Sequence, residues 1–133
     1  MAVRVVTGLL IRDGTILMCL RRTDKPFYPL HWEFPGGKVE SGESLVQALE
    51  RELREELLIS LTTATPWFDD IMTYSNGMTY HVTFFLVRDF QGEPVNTEFA
   101  DIKWFAPEEL RSLQHLSGNA NILQKILSEG IPK

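Results

Sequence analysis

One predicted helix, residues 45–57, carries three glutamates on one face. Glu52, Glu55 and Glu56 are spaced i, i+3 and i+4, so a helix places their carboxylates side by side. Three like charges this close repel one another and destabilise the helix unless a cation neutralises them. Mg²⁺ prefers carboxylate oxygens, water and substrate phosphates as ligands. The spacing therefore has two interpretations, a solvated acidic face or a site for a hard divalent cation.

The helical wheel favours the cation site. At about 100° per residue, the apolar residues of this helix form one arc, whose members are Leu45, Val46, Ala48, Leu49, Leu53 and Leu57. Glu52 and Glu56 fall inside this arc, and Glu55 lies on its edge. Glu50 and Arg54 form an ordinary surface pair on the opposite side. Carboxylates that face a core without a partner are costly, and a bound cation is the simplest partner.

The residues before this helix are typical of a helix start and of a close approach to a ligand. Ser44 and Gln47 form a capping-box pattern, which predicts that the helix begins near Leu45. Residues 34–37 end in two glycines, and a backbone without Cβ atoms can turn sharply next to a ligand. A glycine turn that leads into inward-facing carboxylates strengthens the interpretation as a metal site.

The sequence from Gly37 to Ile59 resembles the Nudix box of the Nudix hydrolases, G-x5-E-x7-R-E-U-x-E-E-x-G-U, where U is aliphatic. Every position matches except that Leu58 stands where the family has glycine. Outside the box, the chain resembles the MutT-type branch of that family. The segments that carry this further resemblance are residues 31–40, Arg21-Arg22, Gly92-Glu93-Pro94, Glu98, Trp104 and Asn119.

Leu58 is the one departure from the box. The family glycine ends the helix in the left-handed conformation that glycine tolerates best. Leu58 either adopts that conformation at a cost of about 1 kcal/mol, or the last turn of the helix runs differently. Because this position carries no ligand, we expect the departure to affect stability more than chemistry.

The resemblance implies a metal site and its cofactor. The metal ligands it implies are Glu52, Glu55, Glu56 and the backbone carbonyl of Gly36. Glu98 either contacts the metal or its water, as the resemblance implies, or is an ordinary solvated acid of a loop. The implied cofactor is Mg²⁺, with Mn²⁺ as a possible substitute. Either Glu52 or Glu98 would be the general base. Arg51 either forms a surface ion pair with Glu43 or holds a carboxylate of the cluster in place, and we favour the second role.

The resemblance also implies substrate contacts, namely Arg22, Glu33, Phe34, Lys38 and Asn119. The guanidinium of Arg22 suits phosphates, although an ordinary surface role is the alternative. Lys38 either contacts phosphate or balances nearby glutamates. Asn119 either recognises the base or caps the last helix. Phe27, Tyr28, Trp32, Tyr74 and Tyr80 include possible stacking partners for a base, although most are expected in the core.

Composition limits the function classes. The chain has 133 residues and a net charge of −5 at pH 7, and its pI is near 5.2. An acidic chain does not favour a nucleic acid polymer as partner, whereas metal ions can carry the charge of a free nucleotide. No segment resembles a signal peptide or a membrane span. The single cysteine, Cys19, lies in an apolar run and is expected in the core, with the cytoplasm as compartment. The sequence does not indicate an oligomeric state.

The order of predicted elements is mixed α/β in a single domain, residues 1–133. Strands are predicted at 3–11, 15–21, 60–74, 78–89 and 102–105, with turns at Asp13-Gly14 and Asn76-Gly77. Residues 23–31 form a loop. After the helix at 45–57, a short helix begins at Pro107 and a long one covers 119–128. The resemblance implies a Nudix-type α/β/α sandwich with a mixed β-sheet.

The expected reaction is Mg²⁺-dependent hydrolysis of a nucleoside 5′-triphosphate to the monophosphate and pyrophosphate. The MutT-type resemblance suggests 8-oxo-dGTP or a related nucleotide, and hence sanitation of the nucleotide pool and protection of DNA. CTP or dCTP is the rival substrate class within the family. A hydrolase of ADP-ribose or another nucleoside diphosphate conjugate is less favoured, because the chain begins directly at its first strand. A non-catalytic Nudix-fold binding module is less favoured because all the box glutamates are present.

Overall fold

The computed structural model describes residues 2–74 and 76–132. Its seven strands are β1 (Ala2–Arg12), β2 (Thr15–Leu20), β3 (Trp32–Glu33), β4 (Gly36–Lys38), β5 (Ser60–Thr73), β6 (Thr79–Gln91) and β7 (Asp101–Phe105). The two α-helices are α1 (Leu45–Leu57) and α2 (Ala120–Glu129). Short 3-10 helices cover Pro107–Ser112 and Ser117–Asn119.

The sheet is mixed and centres on β1. The strand order is β3-β2-β1-β6-β5, with β4 paired to β1 and β7 paired to β2. The β1 and β6 strands are parallel, from Ala2 opposite Thr79 to Leu10 opposite Val87. The β5 and β6 strands form the predicted hairpin. Strand β4 pairs antiparallel with β1, so that Gly36 lies opposite Thr7.

One helix covers each face of the sheet. Four residues of the apolar arc of α1 (Ala48, Leu49, Leu53 and Leu57) are fully buried and pack on one face with Val6, Leu10, Phe85 and Val87. Helix α2 packs on the other face through Ile122, Leu123 and Ile126, against residues that include Leu9, Phe84 and Leu86. These layers confirm the expected α/β/α sandwich with a mixed sheet.

The longer predicted elements are present and the shortest ones were missed. The strand predictions agree with β1, β2, β5, β6 and β7 to within two residues at each end. The helix predicted from Pro107 is a 3-10 helix, and the last helix begins at Ala120 after a 3-10 turn. Strands β3 and β4 were not predicted. Strand β3 has two residues and pairs with β2, and β4 has three residues and pairs with β1. Segments this short are too short to show a periodic pattern of apolar residues.

The ends of α1 match the sequence patterns. The Ser44 side chain accepts a hydrogen bond from the N–H of Gln47, whose side chain accepts one from the N–H of Ser44, which confirms the capping box. At the other end, Leu58 is left-handed, with φ 57° and ψ 34°. The family's glycine geometry is therefore kept with a leucine in it.

Cys19 is fully buried and carries a free thiol, as expected of a core residue. Neither helix within the described residues has the length and apolar run needed to cross a membrane.

Leu58→Gly should stabilise the protein. The substitution relieves a left-handed strain of about 1 kcal/mol, and Leu58 is 57% exposed, so little burial is lost. We expect Tm to rise by roughly 2 to 5 °C, measured by scanning calorimetry. Leu58→Ala is the matched control, because it removes the side-chain atoms beyond Cβ but keeps the Cβ atom that strains the left-handed conformation. An equal Tm change for the two variants would contradict the argument from backbone conformation.

Candidate functional site

An acidic recess of about 200 Å³ lies between α1, the β3–β4 segment and the β6–β7 loop. Its carboxylates come from Glu33, Glu52, Glu56 and Glu98. Its other lining residues are Arg21, Arg22, Lys25, Gly36 and Phe99. Residues that are far apart in the sequence thus bring four acids and three bases to one place.

Glu56 is the buried centre of this recess. Glu56 is only 6% exposed, and its Oε2 accepts a hydrogen bond from the N–H of Gly36 at 3.2 Å. Burial, a hydrogen bond with Glu52 and the nearby charges of Glu52, Glu98 and Glu33 raise the pKa of Glu56 to about 10. The recess therefore holds more carboxylate than its surroundings neutralise. A divalent cation fits such a set of hard oxygen donors.

Arg51 fixes the orientation of Glu52. Its guanidinium donates to both oxygens of Glu43, at 2.7 and 3.0 Å, and to Oε1 of Glu52 at 2.9 Å. A further hydrogen bond reaches the carbonyl of Lys38 at 3.0 Å. The bidentate hydrogen bonds from Arg51 lower the pKa of Glu43. The geometry agrees with the holding role favoured for Arg51, because a simple surface pair would not also contact Glu52.

The two glycines before α1 make room for these contacts. A Cβ atom at Gly37 would lie 2.5 Å from the carboxylate of Glu52. A Cβ atom at Gly36 would lie 2.1 Å from the carbonyl oxygen of Val6 on β1, and Gly36 has φ +152°. Glycine is thus required at Gly36 by the pairing of β4 with β1, and at Gly37 it lets the carboxylate of Glu52 lie close to the backbone.

Glu55 lies outside the recess. Its side chain is 60% exposed, and its nearest cation is Nη1 of Arg51 at 3.6 Å. Within residues 2–74 and 76–132, no three histidine, cysteine, aspartate or glutamate side chains are arranged to hold a metal ion. The ligand set of Glu52, Glu55 and Glu56 is therefore not preassembled, and it stays a prediction.

Glu98 reaches the recess from the β6–β7 loop. It lines the recess with Glu52 and Glu56, and its charge contributes to the raised pKa of Glu56. Its place in the chain, 42 residues after Glu56, gives no local sequence signal, so only the family resemblance indicated it. Its role as a metal or water contact stays a prediction.

A larger cleft of about 900 Å³ opens beside the recess, and the two share Arg21, Glu33 and Gly36. We call it the binding cleft. Its aromatic lining residues are Phe27, Tyr28, Phe34, Tyr74, Tyr80 and Phe84. Tyr74 and Tyr80 meet edge to face, with centroids 5.2 Å apart. Trp32 does not line the cleft, because it packs on Phe105 in the core. The volume is typical of a small-molecule site.

Asn119 lies in the binding cleft and is 8% exposed. It precedes the first residue of α2, but its side chain makes no capping hydrogen bond, so the capping interpretation is wrong. Its Nδ2 is buried without a hydrogen-bond partner. A buried N–H group without a partner is costly, and a ligand in the cleft would supply the acceptor.

The other predicted substrate residues divide between the two cavities. Glu33, Phe34 and Lys38 line the binding cleft, although Phe34 is 5% exposed and forms part of its floor. Arg22 lines the recess and pairs with Asp24 at 2.9 Å on the surface. Burial raises the pKa of Glu33.

Arg21 is a basic residue of the site that was not among the predicted substrate contacts. It lines both cavities, donates to Glu33 at 3.3 Å and donates to the carbonyl of Phe27 at 3.2 Å. The Arg21-Arg22 pair was the available signal, because it is part of the resemblance to the MutT-type branch. Lys25, from the following loop, also lines the recess.

Comparison with known proteins agrees with this geometry. Residues 1–126 match the NUDIX domain family. The chain is 38% identical over 117 residues to the nucleoside triphosphatase NudI of Escherichia coli O17:K52:H18, an alignment that covers 80% of this chain and 83% of that protein. The solution structure of the E. coli ORF135 protein is similar, with a TM-score of 0.84, 33% identity and coverage of 96% of this chain and 89% of that one. So is the crystal structure of the MutT NUDIX hydrolase from Burkholderia pseudomallei, with a TM-score of 0.85, 28% identity and coverage of 95% and 98%. This chain belongs to the Nudix hydrolase family.

Proposed function

We propose that this protein hydrolyses nucleoside 5′-triphosphates to the monophosphate and pyrophosphate, with 8-oxo-dGTP or a related nucleotide as substrate. The observation that carries the proposal is the position of the acidic recess at the edge of a cleft large enough for a nucleoside. The name of the relative from E. coli, a nucleoside triphosphatase, supports the reaction class. On this proposal the enzyme acts in nucleotide-pool sanitation, and the free buried thiol of Cys19 agrees with the cytoplasm.

Nudix hydrolases use divalent metal cations, and we propose Mg²⁺ here, with Mn²⁺ as a substitute. Glu52, Glu56 and the Gly36 carbonyl would hold it, with Glu55 joining after rotation of its exposed side chain and Glu98 from the facing loop. When bound, the cation would polarise the phosphate bridge and offset the charge of the departing pyrophosphate. Glu52 or Glu98 would take the proton from the attacking water.

The remaining groups would orient the substrate. Arg22 lies beside the acidic recess, where its guanidinium would contact phosphate oxygens. Lys38 lies on the rim of the binding cleft, where its ammonium would contact phosphate too. Arg51, which is itself held by Glu43, would keep the carboxylate of Glu52 oriented toward the recess. Asn119 would pair its amide with the edge of the base.

The base preference is open to direct test within the same proposal. A carboxamide has one acceptor oxygen and two N–H donors, so Asn119 can pair with an oxidised purine or with cytosine. Pyrophosphate release from dGTP, 8-oxo-dGTP, dCTP and CTP, together with AMP release from ADP-ribose, all measured with Mg²⁺, distinguishes these substrate classes. A preference for dCTP or CTP would replace the 8-oxo-dGTP proposal, and activity on ADP-ribose alone would contradict the triphosphate reaction.

Glu55→Gln should lower turnover by at least about a hundredfold, because a neutral amide is a poor Mg²⁺ ligand. The fold should be intact, since Glu55 is exposed. Glu50→Gln is the matched control, because it removes a carboxylate on the opposite side of the same helix. The measurement is kcat for pyrophosphate release at saturating Mg²⁺. Near wild-type activity of Glu55→Gln would contradict its assignment as a ligand.

Glu56→Gln should raise Tm without metal, and the gain should grow with pH. The pKa of Glu56 rises from 4.5 to about 10 on folding. Between these values the folded protein retains a proton that the unfolded chain has lost, so wild-type stability falls as pH rises. Glutamine does not titrate and keeps the shape of the side chain.

We would compare Tm in EDTA at pH 5.5 and pH 8.5. Glu55→Gln is the control, because its carboxylate is largely exposed and should show no comparable growth in Tm difference. A Tm difference between Glu56→Gln and the wild type that is the same at both pH values would show that burial does not penalise this carboxylate.

Asn119→Ala should weaken discrimination between 8-oxo-dGTP and dGTP by about 1 to 3 kcal/mol, the usual effect of an unpaired buried polar group. The measurement is the ratio of kcat/KM values for the two nucleotides in both proteins. Asn121→Ala is the control, because this exposed asparagine bonds Asp70 away from the cleft lining. An unchanged ratio for Asn119→Ala would leave Asn119 no role in base recognition.

A further inference from the structure

The C-terminal end of α1 is closed by residues from outside the helix. The last four carbonyl groups of an α-helix have no partner within it. At the end of α1, the carbonyl of Arg54 accepts the N–H of Leu58 at 3.1 Å. The other three carbonyls belong to residues 55–57, and two of these residues are the proposed ligands Glu55 and Glu56. Their partners therefore decide how the last turn of the proposed metal site is held.

The hydrogen-bond donors to these three carbonyls all belong to the β6–β7 loop. The hydroxyl of Thr97 lies 3.0 Å from the carbonyl oxygen of Glu55 and 2.8 Å from that of Glu56, a three-centre hydrogen bond. The N–H of Thr97 also donates to the Glu56 carbonyl, at 3.4 Å. The N–H of Val95 donates to the carbonyl of Leu57 at 2.8 Å. Two residues of one loop thus complete the helix end.

The same loop carries Glu98, next to Thr97. Two hydrogen bonds between Asn96 and Phe99, at 2.8 and 2.9 Å, span Thr97 and Glu98 and close this part of the loop. The N–H of Ala100 then donates to the carbonyl of Leu20 on β2 at 2.9 Å. Glu98 is therefore flanked on both sides by backbone that is fixed to the rest of the fold.

We propose that Thr97 is a positioning residue that fixes Glu98 relative to the glutamates of α1. Its hydroxyl contacts the backbone of Glu55 and Glu56, while the next side chain along the loop lines the acidic recess with Glu56. The loop and the last turn of α1 are joined by two backbone N–H groups and by the Thr97 hydroxyl, and this hydroxyl contributes to the distance between the carboxylates on the two elements. This inference rests on the proposed function, because it gives Thr97 a role in the same site.

The alternative is that Thr97 only caps a helix and contributes to stability. A second cap on the same helix separates the two interpretations. Ser44 caps the N-terminus of α1, at the end opposite Glu56. Ser44→Ala should therefore lower Tm, as loss of a cap does, without disturbing the recess. Thr97→Val removes the hydroxyl and keeps the side-chain shape, Thr97→Ala removes it without added bulk, and Thr97→Ser keeps it.

The experiment measures Mn²⁺ binding to the nucleotide-free protein by electron paramagnetic resonance, together with Tm and the kinetics of pyrophosphate release. We expect Thr97→Val and Thr97→Ala to weaken Mn²⁺ binding by about three- to tenfold, the effect of one lost hydrogen bond. We expect kcat to fall by a similar factor with KM for the nucleotide unchanged. Thr97→Ser should restore both values, and Ser44→Ala should leave them unchanged despite its lower Tm.

Several results would overturn the inference. Thr97→Val with a lowered Tm and wild-type Mn²⁺ binding would make Thr97 a cap alone. Disagreement between Thr97→Val and Thr97→Ala, or failure of Thr97→Ser to restore binding, would show that the hydroxyl is not the cause. The Glu55→Gln variant keeps this test separate from the proposed function. If Glu55→Gln stays active, the metal site itself is misassigned; if it is inactive and Thr97→Val binds Mn²⁺ normally, only the role of Thr97 fails.

Discussion

The contact between the carboxyl groups of Glu52 and Glu56 is the interaction on which the rest of the site depends. Glu56 is buried on the apolar arc of α1, where the N–H of Gly36 donates to one of its oxygens. Burial and the adjacent Glu52 carboxyl disfavour the charged form of Glu56 and raise its pKa. The surrounding apolar contacts of α1 offset the cost of burying this carboxyl, because Ala48, Leu49, Leu53 and Leu57 are fully buried.

The sheet supplies the fixed frame around these two acids. Strand β1 pairs with β4 through its first half and with β6 along most of its length. The first pairing places Gly36 opposite Thr7 of β1, where a Cβ atom would meet the carbonyl of Val6, and it places Gly37 against the Glu52 side chain of α1. Arg51 then ties α1 back to this segment through the carbonyl of Lys38. Glu52 is thus held by groups on both sides, whereas the side chain of Glu55 lies 3.6 Å from Arg51 and is 60% exposed.

The parts of the structure that the sequence could predict are those with a local cause. The burial of Glu56 follows from the 3.6-residue period, and the start of α1 follows from the Ser44 capping box. The orientation of Glu55 did not follow, because a residue on the edge of the arc can face either way. Asn119 is the last residue of a 3-10 turn, and its backbone is not in the extended conformation that is typical of a capping residue. The bonds of Thr97 join residues more than 40 positions apart, so no local pattern could indicate them.

The end of α1 shows why stability and chemistry meet in one turn of helix. A left-handed leucine at position 58 makes this turn less stable than glycine would. The same turn carries Glu55 and Glu56, whose positions any catalytic metal site requires to be fixed. A helix that frays at its end would release both. The β6–β7 loop opposes this fraying because it donates hydrogen bonds to the carbonyls of residues 55–57, which Leu58 does not bind. The loop that completes the acidic recess with Glu98 is therefore also the element that keeps the strained helix end in place.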